Sequence, residues 1–182
     1  MIRFLMVLLG LLWMVPEVTA QTPTPAPAAN KASAAVWETV SNKACGYWLR
    51  YPKGVKWESL GDCSFKLTWP ETAIIAEMTL TLETTPVHNG VADVPLDSDE
   101  EPTGFLVAGG LKFEKTVDDD RGAGHALVTV TYVALSKTRQ YYWVGVLNAV
   151  EPSILGTPTP DWDPGKMAEK LFDGVLLNFR PM

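Results

Sequence analysis

The stretch T-A-I-I-A-E-M-T-L-T-L-E-T at residues 72–84 alternates Ala76, Met78, Leu80 and Leu82 with Glu77, Thr79, Thr81 and Glu83. Side chains two apart share one side of an extended chain. Alternation over this length therefore demands a β-strand with one face in a core and the other toward water. Such a strand needs neighbours at both edges, and the sequence offers them at 46–52, 55–60, 64–69, 105–113, 126–135 and 140–150. In the first of these, Tyr47, Leu49 and Tyr51 alternate with Trp48 and Arg50. Pro52-Lys53-Gly54 then turns the chain so that 55–60 can return beside it. The segment Q-Y-Y-W-V-G-V-L-N-A-V at 140–150 is almost wholly apolar, which predicts a strand covered on both faces.

Helical signals are few. Val36, Trp37 and Val40 fall on one side of a short helix over Ser33–Ser41. Asp163-Pro164 reads as an N-cap followed by proline at the first helical position. Beyond it Met167, Leu171, Phe172, Val175 and Phe179 recur at helical spacing, so a closing helix is expected to pack across the sheet despite Gly174, which costs about 1 kcal/mol against alanine. Turns are expected at His88-Asn89-Gly90 and along Asp118–Gly124. The pattern is α+β, built on a mainly antiparallel sheet.

The chain of 182 residues begins with Arg3, an apolar run from Phe4 to Val15, and Val18-Thr19-Ala20 before Gln21. This arrangement is that of a secretory signal peptide over 1–20, the apolar run falling short of the roughly 20 residues of a membrane span. Residues 21–32, rich in Pro, Ala and Thr, are expected to be a disordered linker, and 33–182 a single domain. The product is expected to be secreted or periplasmic. In an oxidising compartment the two cysteines, Cys45 and Cys63, are expected to pair, clamping the ends of the first hairpin. A loop of this length is worth about 3 kcal/mol on a chain-entropy estimate. Two separate buried thiols are the alternative.

The formal charge of −6 opposes nucleic-acid binding, which draws its affinity from Lys and Arg on phosphates. Asp97, Asp99, Glu100 and Glu101 form one acidic run and Asp118, Asp119 and Asp120 another. Neither has the full ligand spacing of an EF-hand, so both are taken as solvated charge, and together as a candidate acidic surface for a basic partner. His88 and His125 are the only histidines. Each is read as a surface or hydrogen-bonded residue rather than a catalytic or metal-bound one. Gly-x-Ser-x-Gly, His-Glu-x-x-His and a complete dinucleotide loop are all absent. No catalytic residue, metal or cofactor is assigned. Of the tryptophans beyond the leader, Trp48, Trp57, Trp69 and Trp143 fall in expected strands, while Trp37 and Trp162 flank irregular regions. They are read mainly as core, with one aromatic of Tyr141-Tyr142-Trp143 free to face a groove.

Four stretches, "YWLRYPKGVKW", "GLKFEKTVDDDRGAGHALVTVTY", "QYYWVGVLNAV" and "DWDPGKMAEKLFDGVLLNFRP", together make residues 45–181 similar to the PsbP-like family. That family opens with an aromatic strand running into a YP-x-G-x-x-W-like turn and closes with a helix and an F-x-x-I-L-x-S-F-like tail. Asn178 stands here where serine is usual. The resemblance implies a twisted antiparallel sheet with helices packed on its faces, an α/β/α sandwich. It also implies binding rather than catalysis, since relatives include an extrinsic photosystem subunit and a Ran-binding nuclear transport factor. The expected function is an exported, non-catalytic binding or accessory domain for an envelope or secreted macromolecule. The alternative is a small-ligand or carbohydrate binder, or a hydrolase, with a tryptophan-lined cleft.

Overall fold

A computed structural model of the chain describes residues 36–92, 101–157 and 161–182. The expected leader and linker lie outside these residues, as do Asp97, Asp99 and Glu100. The elements are β1 (Trp37–Asn42), β2 (Tyr47–Pro52), β3 (Lys56–Gly61), β4 (Ser64–Thr68), β5 (Ile75–His88), β6 (Val91–Ala92), β7 (Gly104–Ala108), β8 (Leu111–Gly122), β9 (His125–Leu135), β10 (Arg139–Val150), α1 (Pro164–Leu176) and β11 (Phe179–Pro181). They form two antiparallel sheets. The larger runs β3-β4-β5-β10-β9-β8-β7, with β6 paired to the end of β5, and the smaller runs β1-β2-β11.

Register turns the period-two patterns into a core. Phe65 lies opposite Leu82, Leu82 opposite Trp143, and Trp143 opposite Tyr132. Four strands thus place large side chains in one row on one face, and all four are fully buried. Tyr47 of β2 packs on Phe65 with ring centroids 5.3 Å apart, while Phe179 of β11 meets Trp143 edge-on at 5.5 Å. The helix arrives on this same inner face. A Cβ on Gly145 of β10 would lie 2.5 Å from the Phe172 ring, so the aromatic ring of α1 rests on bare backbone of the central strand.

These contacts overturn the expected α+β class and its α/β/α sandwich with helices on both faces. The fold is β-rich, and among the described residues there is one helix, lying with the small sheet over a single face of the large one. Residues 140–150 reflect this: Tyr141, Trp143, Gly145, Leu147 and Ala149 are buried, while Tyr142, Val144, Val146 and Asn148 are only half-buried. The run is apolar because it is central, flanked by β5 and β9, and not because both faces are covered.

Three local expectations are also corrected. Within the helix expected over Ser33–Ser41, Trp37–Ser41 lie in β1, where Trp37 and Val40 pair with Pro52 and Leu49 of β2. An isolated short helix is marginal, whereas Val, Thr and Trp suit a pleated edge. The single strand expected over 105–113 is a hairpin, because Gly109 and Gly110 take φ of 59° and 82°, the signature of a two-residue turn matching strand twist. Gly109 is doubly constrained: its Cβ would sit 2.5 Å from Pro181 Cδ. Asp118–Asp120, expected in a turn, continue β8.

The Cys45–Cys63 disulfide is formed, with Cα atoms 5.2 Å apart, but it does not clamp a β2–β3 hairpin. After Pro52 the chain crosses to the other sheet, so β2 and β3 do not pair. Cys45 precedes β2 and Cys63 follows β3; the bond therefore ties the small sheet to the large one. Polar contacts converge at this seam. Asn42 Oδ1 accepts from the Cys45 N–H and Asn42 Nδ2 donates to the Asp62 carbonyl, each at 3.1 Å. Arg139 donates to the Ala44 carbonyl. The Gly46 carbonyl accepts from Tyr141 Oη at 2.8 Å and from the Met182 N–H at 2.9 Å.

Helix docking has a paired test. Gly145→Ala, which drives a methyl into Phe172, should lower stability by about 1–3 kcal/mol. Gly174→Ala, whose methyl meets nothing within 4 Å, should raise it by up to about 1 kcal/mol. Urea midpoints at constant slope read both; a neutral Gly145→Ala would contradict the docking.

Candidate functional site

Strand periodicity divides the Asp118–Asp120 run. Asp119 and Arg121 point to the inner side of β8, toward the start of α1, and Asp118 and Asp120 to the outer. Arg121 Nε donates to both Asp119 oxygens at 3.0 Å, and Arg121 Nη2 reaches Asp163 Oδ1 at 3.4 Å. Asp163 caps α1, accepting from the Lys166 N–H at 3.1 Å, while Lys166 Nζ lies 3.0 Å from its other oxygen. The hydrogen bond from the Lys166 N–H, helped by the neighbouring cations, holds the Asp163 carboxyl below its usual range. The Arg121 guanidinium is held above its own range, chiefly by the hydrogen bonds to Asp119. Arg121 thus bridges the end of the hairpin to the helix start.

The β8–β9 turn runs through Ala123 and Gly124, both with positive φ. The chain leaving β10 folds over it: Glu151 N–H donates to the Gly124 carbonyl at 2.9 Å, and a Cβ on Gly124 would overlap the Ile154 side chain. Two open clefts flank this turn. The first, about 440 Å³, is lined by Arg121, His125, Glu151 and Trp162 around the backbone of 122–124. The second, about 290 Å³, lies toward the outer sheet face and is lined by Asp120, Leu127 and Asn148. Gly122 and His125 border both. The groups are a guanidinium, an imidazole, an amide, two carboxylates and an indole, a set suited to hydrogen bonding and stacking. Among the described residues no cluster of His, Cys, Asp or Glu is arranged to hold a metal ion.

A second polar cluster lies under the helix. Lys115, largely buried, donates to Glu169 at 3.0 Å and Asp173 at 3.3 Å, and Tyr132 Oη donates to the other Asp173 oxygen at 2.7 Å. Burial alone would lower the Lys115 pKa. The hydrogen bond to Glu169 and the charges of Asp173 and Glu169 outweigh it, so the ammonium is held above its usual range. Burial, then the bond to Asp173, pushes the Tyr132 hydroxyl far above the usual phenol range. This network seats α1 on β8 and β9.

The structure brings few of the sequence candidates together. Glu101 is exposed, and Asp118 and Asp120 face away from Asp119. His88 is exposed at the end of β5, while His125 lines both clefts. Trp143 is core, Trp48 and Trp69 are half-buried, Trp57 is exposed, and Trp162 lines the larger cleft. Arg121, Asn148 and Glu151 were not singled out from sequence. Only Arg121 had a signal, as the cation closing an acidic run.

No family model matches the chain, and no curated protein matches it. Among solved structures, a protein from Bacteroides thetaiotaomicron VPI-5482 is similar at 7% identity and a TM-score of 0.47. The match covers 75% of this chain and 45% of that one. No function is carried across from it.

Alkali tests the helix seat. Tyr132 and Lys115 keep protons in the folded state that the unfolded chain releases above about pH 10, so their contribution is full below that pH and is lost as pH rises beyond it. Tyr132→Phe should lower stability at pH 7 by about 1–3 kcal/mol and flatten the loss between pH 9 and about pH 11. Denaturant titrations across that range measure both; an unchanged alkaline slope would contradict the assignment.

Proposed function

We propose that the protein is an exported, non-catalytic binding domain that docks an envelope or secreted macromolecule on the open face of the large sheet. The observation that carries this reading is the one-sided cover of that sheet. On its outer face Thr131, Val144 and Thr81 form one row, and Thr129 and Val146 the next, where Thr79 is buried beside them. Tyr142 and Val133 continue the surface toward Phe105, which is 56% exposed at the β7 edge. No described helix lies over these residues. A broad surface of methyls and ring edges supports docking of another macromolecule. Glu58, Glu77, Glu83, Glu114, Asp118 and Asp120 share this face with Lys56, Lys66 and Lys112, and the excess of carboxylates favours a partner with basic groups.

The disulfide is consistent with an oxidising compartment. No described helix is long and apolar enough to cross a membrane.

Lysines at Thr81 and Thr131 would place charge on either side of Val144 without entering the core. The Thr81→Lys/Thr131→Lys protein should keep its fold by circular dichroism and lose at least about tenfold in retention of the component captured by the wild-type domain from its envelope fraction. Asp118→Asn/Asp120→Asn should weaken the salt dependence of that capture. Undiminished retention by the lysine variant would overturn this docking face.

A further inference from the structure

We infer that the groove over the end of the β8–β9 hairpin is a saccharide site, taking a neutral, linear glycan of at least two sugar residues. The inference goes beyond the docking role proposed above, because the groove lies at the end of the hairpin and shares neither Val144 nor the threonines of the sheet face. Length comes from the groove itself. The two clefts, about 440 and 290 Å³, meet at Gly122 and His125. A Cβ on Gly122 would meet nothing within 4 Å, so the backbone is open at the point the clefts share, and an extended ligand would cross there beside the His125 side chain.

Chemistry narrows the class. Sugars present hydroxyls that need paired donors and acceptors, and C–H faces that favour aromatic or aliphatic walls. Asp120, His125, Asn148 and Glu151 supply polar atoms along the groove. The partly exposed Trp162 walls one lobe and Leu127, 48% exposed, the other. A phosphate or other anion is disfavoured. Arg121 is matched by Asp119 and Asp163, and the Asp163 carboxylate occupies the helix start where an anion would otherwise bind. Asp120 and Glu151 have no cationic partner among the described residues, and Glu151 already accepts from Ser153 Oγ at 2.6 Å. They remain as acceptors for hydroxyls. A basic peptide is the competing ligand, and the groove's mixed lining of indole, amide and imidazole favours the sugar.

Gly122 has no positive φ, so Gly122→Phe fills the groove without backbone strain. Gly61→Phe, in a position equally open at the end of β3, is the control. The full domain, labelled for amide and indole NMR, is titrated with chitohexaose, cellohexaose, maltohexaose, inorganic phosphate and a lysine-rich peptide. At least one neutral hexasaccharide should bind saturably, shifting the Gly122 and His125 amides and the Trp162 indole signal. Gly122→Phe should weaken it by at least about tenfold and Gly61→Phe should not. Glu151→Gln, which keeps the side-chain shape, should weaken it severalfold. No response to any hexasaccharide, a response to the peptide or phosphate alone, or sugar binding indifferent to Gly122→Phe overturns the inference. Envelope retention is measured on the same variants. Retention that depends on Thr81 and Thr131 while sugar binding is absent removes the glycan site and leaves the docking face standing. Sugar binding without that dependence does the reverse.

Discussion

Trp143, at the middle of the central strand, is the residue that most of the molecule is arranged to cover. Its indole is fully buried, with Phe65 from its own sheet at 5.7 Å and Phe179 from the small sheet at 5.5 Å, both nearly perpendicular to it. Its Nε1 has no hydrogen-bond partner among the described residues, a loss of about 1–3 kcal/mol that the surrounding aromatic burial must outweigh. Covering it requires β11, and β11 reaches it only because the chain after α1 returns beside β2. Met182 therefore hydrogen-bonds the Gly46 carbonyl, and Gly109 must lack a side chain where β11 crosses the β7–β8 turn. The disulfide joins the same two layers, so the closing strand, the first strands and the central strand are fastened at one seam.

A consequence is asymmetry. The small sheet and the helix both serve the face that holds Trp143, Tyr132 and Phe113, and on the opposite face Thr81, Thr129, Thr131, Val133, Val144 and Val146 stay half-exposed while Thr79 and Thr116 are buried. The end of the β8–β9 hairpin is where the two faces meet. Arg121 looks inward to the helix cap while Asp120, one residue earlier, looks outward, and the groove between them needs both directions of the same strand. Binding surface and fold are thus linked through ordinary strand alternation.

Alternation was also what the sequence showed most plainly. In β5 the inward set Met78, Leu80 and Leu82 followed directly from it, although Ala76 lies exposed near the strand start. The helix start was legible from Asp163-Pro164 because capping is local chemistry. What failed depended on distant partners. Trp37 and Val40 are spaced as a helix face would be, and only pairing with β2 makes them a strand. Gly109-Gly110 sit inside an apolar run, so two short strands looked like one. Apolar residues on both sides of β10 suggested cover on both faces, when Tyr142, Val144 and Val146 on the outer side are only half-buried. The candidate site was scattered for the same reason. Arg121, Glu151 and Trp162 come from three segments, and nothing in their local sequence says that one turn gathers them, whereas Gly122 and Gly124 stood out as a turn leading into the strand that His125 begins.

The central claim is that one face of the large sheet is covered and the other is open. Solvent relaxation enhancement of methyl groups by a soluble gadolinium chelate measures this directly. Val144 and Val146 should relax strongly, and Val128, Val130 and Leu147, from the buried face, should barely respond. Val144 and Val146 as protected as Val130 would mean that something covers the outer face, and the account would fail.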